Sequence, residues 1–301
     1  SSPRNDSNGS NAGSVKVYDF DGAIWNQIGQ TILGDTVGDE SGRGLSLNND
    51  GSILAIGATG YGQTDCWPVG QSYPNCNGQG QVRIFEYISG SWSQIGQGVE
   101  GFDNNDRSGD KNQVKLNSSG DIVAIGSPWN DSLFTNGGYT RILKRDGNNW
   151  NQLGTPIFGE NTSELSGYYV SISDDGYTVA IGAPYYDNSK GRVGVYTYDT
   201  TSAIWSKKGS DIVGENNGDK CGWGLSITGD GNTIAVGNKD SEPSIIRVFD
   251  FDIQTSEWIQ RGLIEDLSYT QNNLSISIND AGNRVSIGNP SDQVVGTVRI
   301  F

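Results

Sequence analysis

Short stretches in which apolar and polar residues alternate fill this chain, and the same succession of stretches returns at a spacing of about 55 residues. Each unit opens on a tryptophan, at Trp25, Trp92, Trp150, Trp205 and Trp258, in segments such as WNQIGQTILG (25–34) and WNQLGTPIFG (150–159). An acidic loop follows, then an alternating stretch that ends in turn chemistry: GLSLNNDG, VKLNSSG, VSISDDG, LSITGDG or ISINDAG. A period of two closed by Asn, Asp and Gly predicts a strand running into a hairpin. The next stretch is apolar almost throughout, ILAIGA, IVAIGS, TVAIGA, TIAVGN or RVSIGN, the pattern of a strand covered on both faces. After a loop of variable length a third strand completes the unit: QVRIFEY, YTRILKR, RVGVYTY, IIRVFDF or TVRIF.

Four strands in a unit of about 55 residues is the size of a β-propeller blade, so the chain is read as an all-β propeller. With the strands named a to d from axis to rim, the sequence starts on c and d (14–34) and ends on a, b and c. The count predicts five blades, with units 35–100, 101–158, 159–213, 214–264 and 265–301 and the N-terminal d strand closing the ring. One c strand, around Val17, is then surplus, and the alternative is a fragment of a larger propeller. Residues 1–13 offer no apolar stretch and are expected to be a flexible leader.

Composition narrows the function classes. A formal charge of -15 makes nucleic acid and anionic lipid poor partners. No apolar run is long enough for a membrane helix. With no His anywhere, a His-dependent serine or cysteine hydrolase is excluded, and zinc would lack its commonest nitrogen ligand. The inner strands carry no Asp or Glu, which a propeller glycosidase needs near the axis. The chain is therefore expected not to be an enzyme and to need no cofactor, calcium excepted. It holds no Met, even at position 1, and reads as a processed product or a piece of a longer precursor. Cys66 and Cys76 bracket a short loop and read as a local disulfide, the alternative being two unpaired thiols; Cys221 is left over. Glycosylation sequons begin at Asn5, Asn8, Asn117, Asn130, Asn161 and Asn273, and with the cysteines they point to a secreted or cell-surface protein.

The unit SxDGxxxAIGAP followed by GRVxVY resembles the FG-GAP repeat of integrin α-chain propellers, and its strand order is similar to that of WD40 repeats. The resemblance spans nearly the whole chain and implies the fold more than any activity. FG-GAP blades often hold calcium in a DxNxDGxxD loop between strands a and b. That turn is shortened here to SDDGYTV around Asp175, without the final Asp, so this calcium site does not carry over.

Residues that recur in every unit are read as scaffold, solitary ones as candidates for function. The loop between d and a repeats an acidic pattern in which Asp39, Asp106, Glu164 and Asp219 share one position and Ser41, Ser108, Ser166 and Cys221 another. A carboxylate there can tie the loop down by accepting N–H bonds. The alternative is calcium, for which the pairs Asp35/Asp39, Asp103/Asp106, Glu160/Glu164 and Glu215/Asp219 would supply oxygen ligands. Solitary aromatics gather in loops of one face: Tyr61, Trp67 and Tyr73, then Trp129, then Tyr185 and Tyr186, with Trp223 after a d-to-a loop. Such a face suits a glycan or extracellular protein, the alternative being rings that fold back on their own loops. The function expected is a non-catalytic adhesion or recognition module. A structural subunit of a surface fibre or sheath, with self-assembly, is the rival, and a glycosidase-like enzyme comes behind both.

Overall fold

The computed structural model describes residues 1–62, 78–239, 244–266, 275–289 and 297–301. The chain is an all-β five-bladed propeller, built mainly of four-stranded antiparallel blades. A two-stranded sheet of β1 (Ser14–Phe20) and β2 (Trp25–Leu33) comes first. The first complete blade is β3 (Leu45–Leu47), β4 (Ile53–Ala58), β5 (Gln81–Ile88) and β6 (Ser91–Gln94), with a short β7 (Val99–Glu100) also pairing β5. The second is β8 (Val114–Leu116), β9 (Ile122–Ser127), β10 (Tyr139–Asp146) and β11 (Asn149–Gln152), with β12 (Ile157–Phe158). The third is β13 (Tyr169–Ile172), β14 (Thr178–Ala183), β15 (Arg192–Asp199) and β16 (Ile204–Lys207), with β17 (Ile212–Val213). The fourth is β18 (Gly224–Ile227), β19 (Thr233–Gly237), β20 (Ser244–Asp252) and β21 (Glu257–Asp266); the last holds β22 (Ser275–Ile278), β23 (Val285–Asn289) and β24 (Thr297–Ile300).

The sequence pattern explains each element. β4, β9 and β14 are buried at every position, as their unbroken apolar runs require. In the hairpins between strands a and b, Asn48 and Asn117 turn a side-chain oxygen back onto the N–H of Ile53 and Ile122, at 2.8 and 2.9 Å. Tyr186–Ser189 coil into one tight turn, with Asp187 and Asn188 at positive φ. The apolar clusters lie between consecutive blades: Ile53, Val82 and Ile84 pack with Val114, Val123, Leu143 and Trp150.

Two devices tie each complete blade to its predecessor. The indole of the tryptophan in strand d donates to the carbonyl just before the glycine of the previous d segment, and Trp92, Trp205 and Trp258 also lie against that glycine, at Gly29, Gly154 and Gly209. Trp92 reaches Ile28 O at 3.2 Å, Trp150 Ile95 O at 3.2 Å, Trp205 Leu153 O at 2.7 Å and Trp258 Lys208 O at 2.6 Å. The second device is a parallel bridge from the residue before strand c to the next loop: Gly13 to Ser41, Gly80 to Ser108, Gly138 to Ser166 and Gly191 to Cys221. These glycines have φ of +89°, +74°, +75° and +73°, and a Cβ on any of them would collide with backbone of the bridged loop.

The chain ends differ from expectation in two ways. The closing role assigned to the N-terminal d strand is not seen: β2 pairs with β1, and β24 has no outer partner strand among the described residues. The surplus c strand is the reason, since β1 already satisfies the ladder of β2. Residues 1–13, expected to be a flexible leader, are built into the scaffold. Ser2 and Ser14 exchange backbone bonds, Glu40 and Ser41 donate to Asn11 O and Ala12 O, and the Asn8 side chain donates to Gly34 O. The leader takes the place that the lead-in to strand c takes in the next three blades.

Candidate functional site

The acidic loops between strands d and a are pinned by their own carboxylates. Asp39 accepts the N–H groups of Asp35 and Thr36 at 2.9 and 2.7 Å, and Asp219 those of Glu215 and Asn216, both at 2.9 Å. Asp106 accepts from Phe102 N, Asp103 N, the Tyr139 hydroxyl and the Asn130 amide. Glu164, one carbon longer, takes Glu160 N and the guanidinium of Arg192. All four are buried. Burial pushes the Asp106 carboxyl above the usual carboxylate range, against the pull of its donors. The outer member of three pairs serves an arginine of strand c: Asp35 meets Arg83 at 2.5 Å, Glu160 meets Arg192 at 2.9 Å and Glu215 lies 3.7 Å from Arg247. Asp103 accepts from the Ser132 hydroxyl instead. Among the described residues no three His, Cys, Asp or Glu side chains converge as a metal would require.

Directly after each bridged Ser or Cys comes a Gly and then a residue that changes from blade to blade: Arg43, Asp110, Tyr168 and Trp223. These four lead into inner strands β3, β8, β13 and β18, so they stand round the mouth of the axial channel. Arg43 and Lys111 line, with residues 1–5 and Gly42, an open pocket of about 670 Å³. Tyr168 lies near Asp110 and Tyr185, and burial with their negative influence pushes its phenol up to about 12. Trp223 is packed against Tyr168 at 4.7 Å and Tyr185 at 6.1 Å between ring centroids. The ammonium of Lys239 sits 3.7 Å from the centre of its ring and that of Lys220 at 5.7 Å. The mouth thus runs from cationic at Arg43 and Lys111 to aromatic at Tyr168, Tyr185 and Trp223.

Of the aromatics singled out from sequence, the structure gathers Tyr185 and Trp223 at this mouth. Trp223 is buried, so it supports the cluster instead of presenting an open ring. Trp129 is half-buried, 5.9 Å from the Arg107 guanidinium. Tyr61 donates its hydroxyl to Glu100, and Tyr186 lies under Arg192; neither joins the cluster. Trp67, Tyr73 and the Cys66–Cys76 pair lie outside the described residues, as does Asn273. Arg43, Tyr168 and Lys239 were missed, although the slot after Ser-Gly or Cys-Gly was the available signal. Two sequons are corrected: Asn117 and Asn130 are buried, with amides donating to Asp121 and Asp106, so a glycan has no access to them in the folded chain. Asn5, Asn8 and Asn161 are at least partly exposed. Cys221 is free and buried, its thiol pushed up to about 11 by burial, with the Arg247 guanidinium 3.3 Å away.

No family model matches the chain, and no curated protein matches it in sequence. Solved structures do. The periplasmic gluconolactonase PpgL of Pseudomonas aeruginosa superposes with a TM-score of 0.57 at 15% identity, over 95% of this chain and 77% of that one. A functionally unknown protein of Desulfotomaculum acetoxidans gives 0.58 at 12% identity, over 96% and 75%. Hydrazine synthase of Kuenenia stuttgartiensis gives 0.54 at 13% identity, over 86% of this chain, which spans 61% of its length. At these identities the likeness is one of fold: a propeller similar to lactonase-type propellers.

Proposed function

We propose that this chain is a non-catalytic recognition propeller of the cell surface or extracellular space, and that its ligand, a glycan or an extracellular protein, binds at the axial mouth. The observation that carries this reading is the contrast within one loop. Its carboxylate, its Ser or Cys and its glycine repeat from blade to blade, while the next residue is Arg43, Asp110, Tyr168 or Trp223 in turn. A position held in a fixed frame yet chemically different in each copy suits a ligand contact better than a packing requirement. Planar rings beside donors and one acceptor fit a sugar face or a peptide. The similarity of the repeat to FG-GAP blades of integrin α-chains supports an adhesive role. The absence of His from the sequence and of acids from the inner strands supports recognition over catalysis.

The test is a glycan array and a cell-surface binding assay on the wild type, Tyr185→Ala and Trp129→Ala. Tyr185→Ala should weaken binding about tenfold, the effect of one good contact, with Tm nearly unchanged. Binding unaffected by either substitution would overturn the placement at the mouth.

A second reading, a subunit of a surface assembly, is favoured by the apolar ends of the chain, where Trp25, Val298 and Ile300 are exposed. Concentration-dependent growth in light scattering, lost in Val298→Asp, would select it.

A further inference from the structure

The inner strands share one polar position, opposite the small residue of strand b: Ser46 across from Ala55, Ser171 from Ala180, Ser226 from Ala235. In each case the serine oxygen accepts the outward N–H of the next inner strand. Ser46 takes Leu116 N at 2.9 Å, Ser171 takes Ile227 N at 3.2 Å and Ser226 takes Ile278 N at 3.2 Å. Strand β8 breaks the series. Its residue opposite Ala124 is Lys115, and by the register of the other junctions the corresponding amide of the next inner strand is that of Ile172, which stands in β13 where Leu116 and Ile227 stand in their strands. A lysine ammonium has three donors and no acceptor. At the β8–β13 junction a donor-only side chain therefore stands in the slot that holds an acceptor at the other junctions.

Neither the Lys115 ammonium nor the Ile172 N–H has a protein acceptor among the described residues. Lys115 is half-buried, and burial alone lowers its pKa, with no acid offsetting it. An unpaired charge drawn out of water is an expensive arrangement. Four residues earlier in the chain, next to Asp110, Lys111 lines the pocket with Arg43, and Arg43 is also paired with Glu40 at 2.8 Å. In a chain of net charge -15, Arg43, Lys111 and Lys115 make a local excess of positive charge on β8 and the lead-ins to β3 and β8.

We propose that the axial channel binds an anionic group, a carboxylate or sulfate, held by the Lys115 ammonium and the Ile172 N–H, with Lys111 and Arg43 nearer the entrance. An anion there supplies the acceptor that serine supplies at the other junctions. The proposal rests on the recognition reading and deepens it, since it names acidic glycans as the ligand class.

The test is calorimetric titration with oligogalacturonate, with the neutral galactose oligomer of equal length, and with sodium sulfate. The variants are Lys115→Ser, which restores the acceptor of the other junctions, Lys115→Arg and Tyr185→Ala. Oligogalacturonate should bind the wild type at least tenfold more tightly than the neutral oligomer, lose at least tenfold in Lys115→Ser and stay within threefold in Lys115→Arg. Without ligand, Lys115→Ser should melt higher than the wild type. Binding of sulfate alone with the same Lys115 dependence would assign the site to a small free anion; binding of the uronate alone would assign it to a glycan. Lys115→Ser binding as tightly as the wild type, or no anionic probe binding, overturns the proposal. Neutral oligomer bound equally by the wild type and Lys115→Ser, but lost in Tyr185→Ala, would overturn this inference while leaving recognition at the mouth intact.

Discussion

Trp150 and Trp25 occupy the same place in the repeat and have opposite surroundings. Trp150 is 4% exposed, with its indole bonded to the preceding blade; Trp25, at the start of the terminal two-stranded sheet, is 68% exposed. Its own sheet gives it the usual partner, Phe20 at 5.2 Å, just as Tyr87 serves Trp92. What it lacks, among the described residues, is a preceding d segment whose carbonyl would take its indole N–H. At the other end Gly262 stands at the equivalent position of β21, and among the described residues nothing lies within 4 Å of where a Cβ would be. Burial of the repeated tryptophan is thus a property of the pair of blades and not of the blade.

The largest test of this contrast is truncation. Trp150→Ala should cost about 3–5 kcal/mol, and Trp25→Ala no more than about 0.5 kcal/mol, both read from urea unfolding. Equal losses would mean that Trp25 is docked in solution. Next comes the glycine bridge. Gly138→Ala should cost on the order of 3 kcal/mol, from strain at positive φ and collision with the Ser166 backbone, whereas Gly22→Ala, also at positive φ but with open space around it, should cost only about 1 kcal/mol. A smaller effect is expected from the loops: Asp39→Ala should lose about 1–2 kcal/mol, because the N–H groups of Asp35 and Thr36 lose their acceptor. The smallest perturbation is chemical. The buried Cys221 thiol, with its pKa near 11, should resist a thiol reagent at pH 8 until the protein is unfolded; rapid native labelling would show that the loop bridged to Gly191 opens readily.

Much of this fold was legible because period-two alternation and a repeated tryptophan are local signals. The limits of strands b and c follow from ILAIGA and QVRIFEY alone, and β4 is buried at all its positions as its composition demands. The fate of the ends was not legible in the same way. A count of strands says that a d strand is available, but not that β1 will already hold it. The leader was misjudged because backbone bonds, not apolar side chains, anchor it, and a sequence of Ser, Asn and Gly does not advertise them. In the candidate site, aromatic character pointed to Tyr185 and Trp223, yet Trp223 turned out buried beneath lysines. The slot that Tyr168 and Arg43 share shows only when the acidic loops are aligned on one another and read one residue past the repeated Gly. Lys115 stood in plain view in VKL; what the sequence could not say is that its counterparts are acceptors for the neighbouring strand.

The bridge from the glycine before strand c to the next acidic loop has a consequence for how such a surface changes. Each loop is held from below by backbone and by its own carboxylate, so the main hold does not run through the residue that follows its Ser-Gly or Cys-Gly, although Arg43 also pairs with Glu40 and Trp223 is itself buried against Tyr168 and Tyr185. Arg43, Asp110 and Tyr168, all only partly buried, therefore stand as exchangeable fittings on a common mount, whereas Trp223 is fixed by its packing. Permuting these three among their positions should leave the ring's thermal stability nearly unchanged, and, under the proposed recognition role, would change what the mouth binds, which makes the mouth a natural starting point for a combinatorial library of binders.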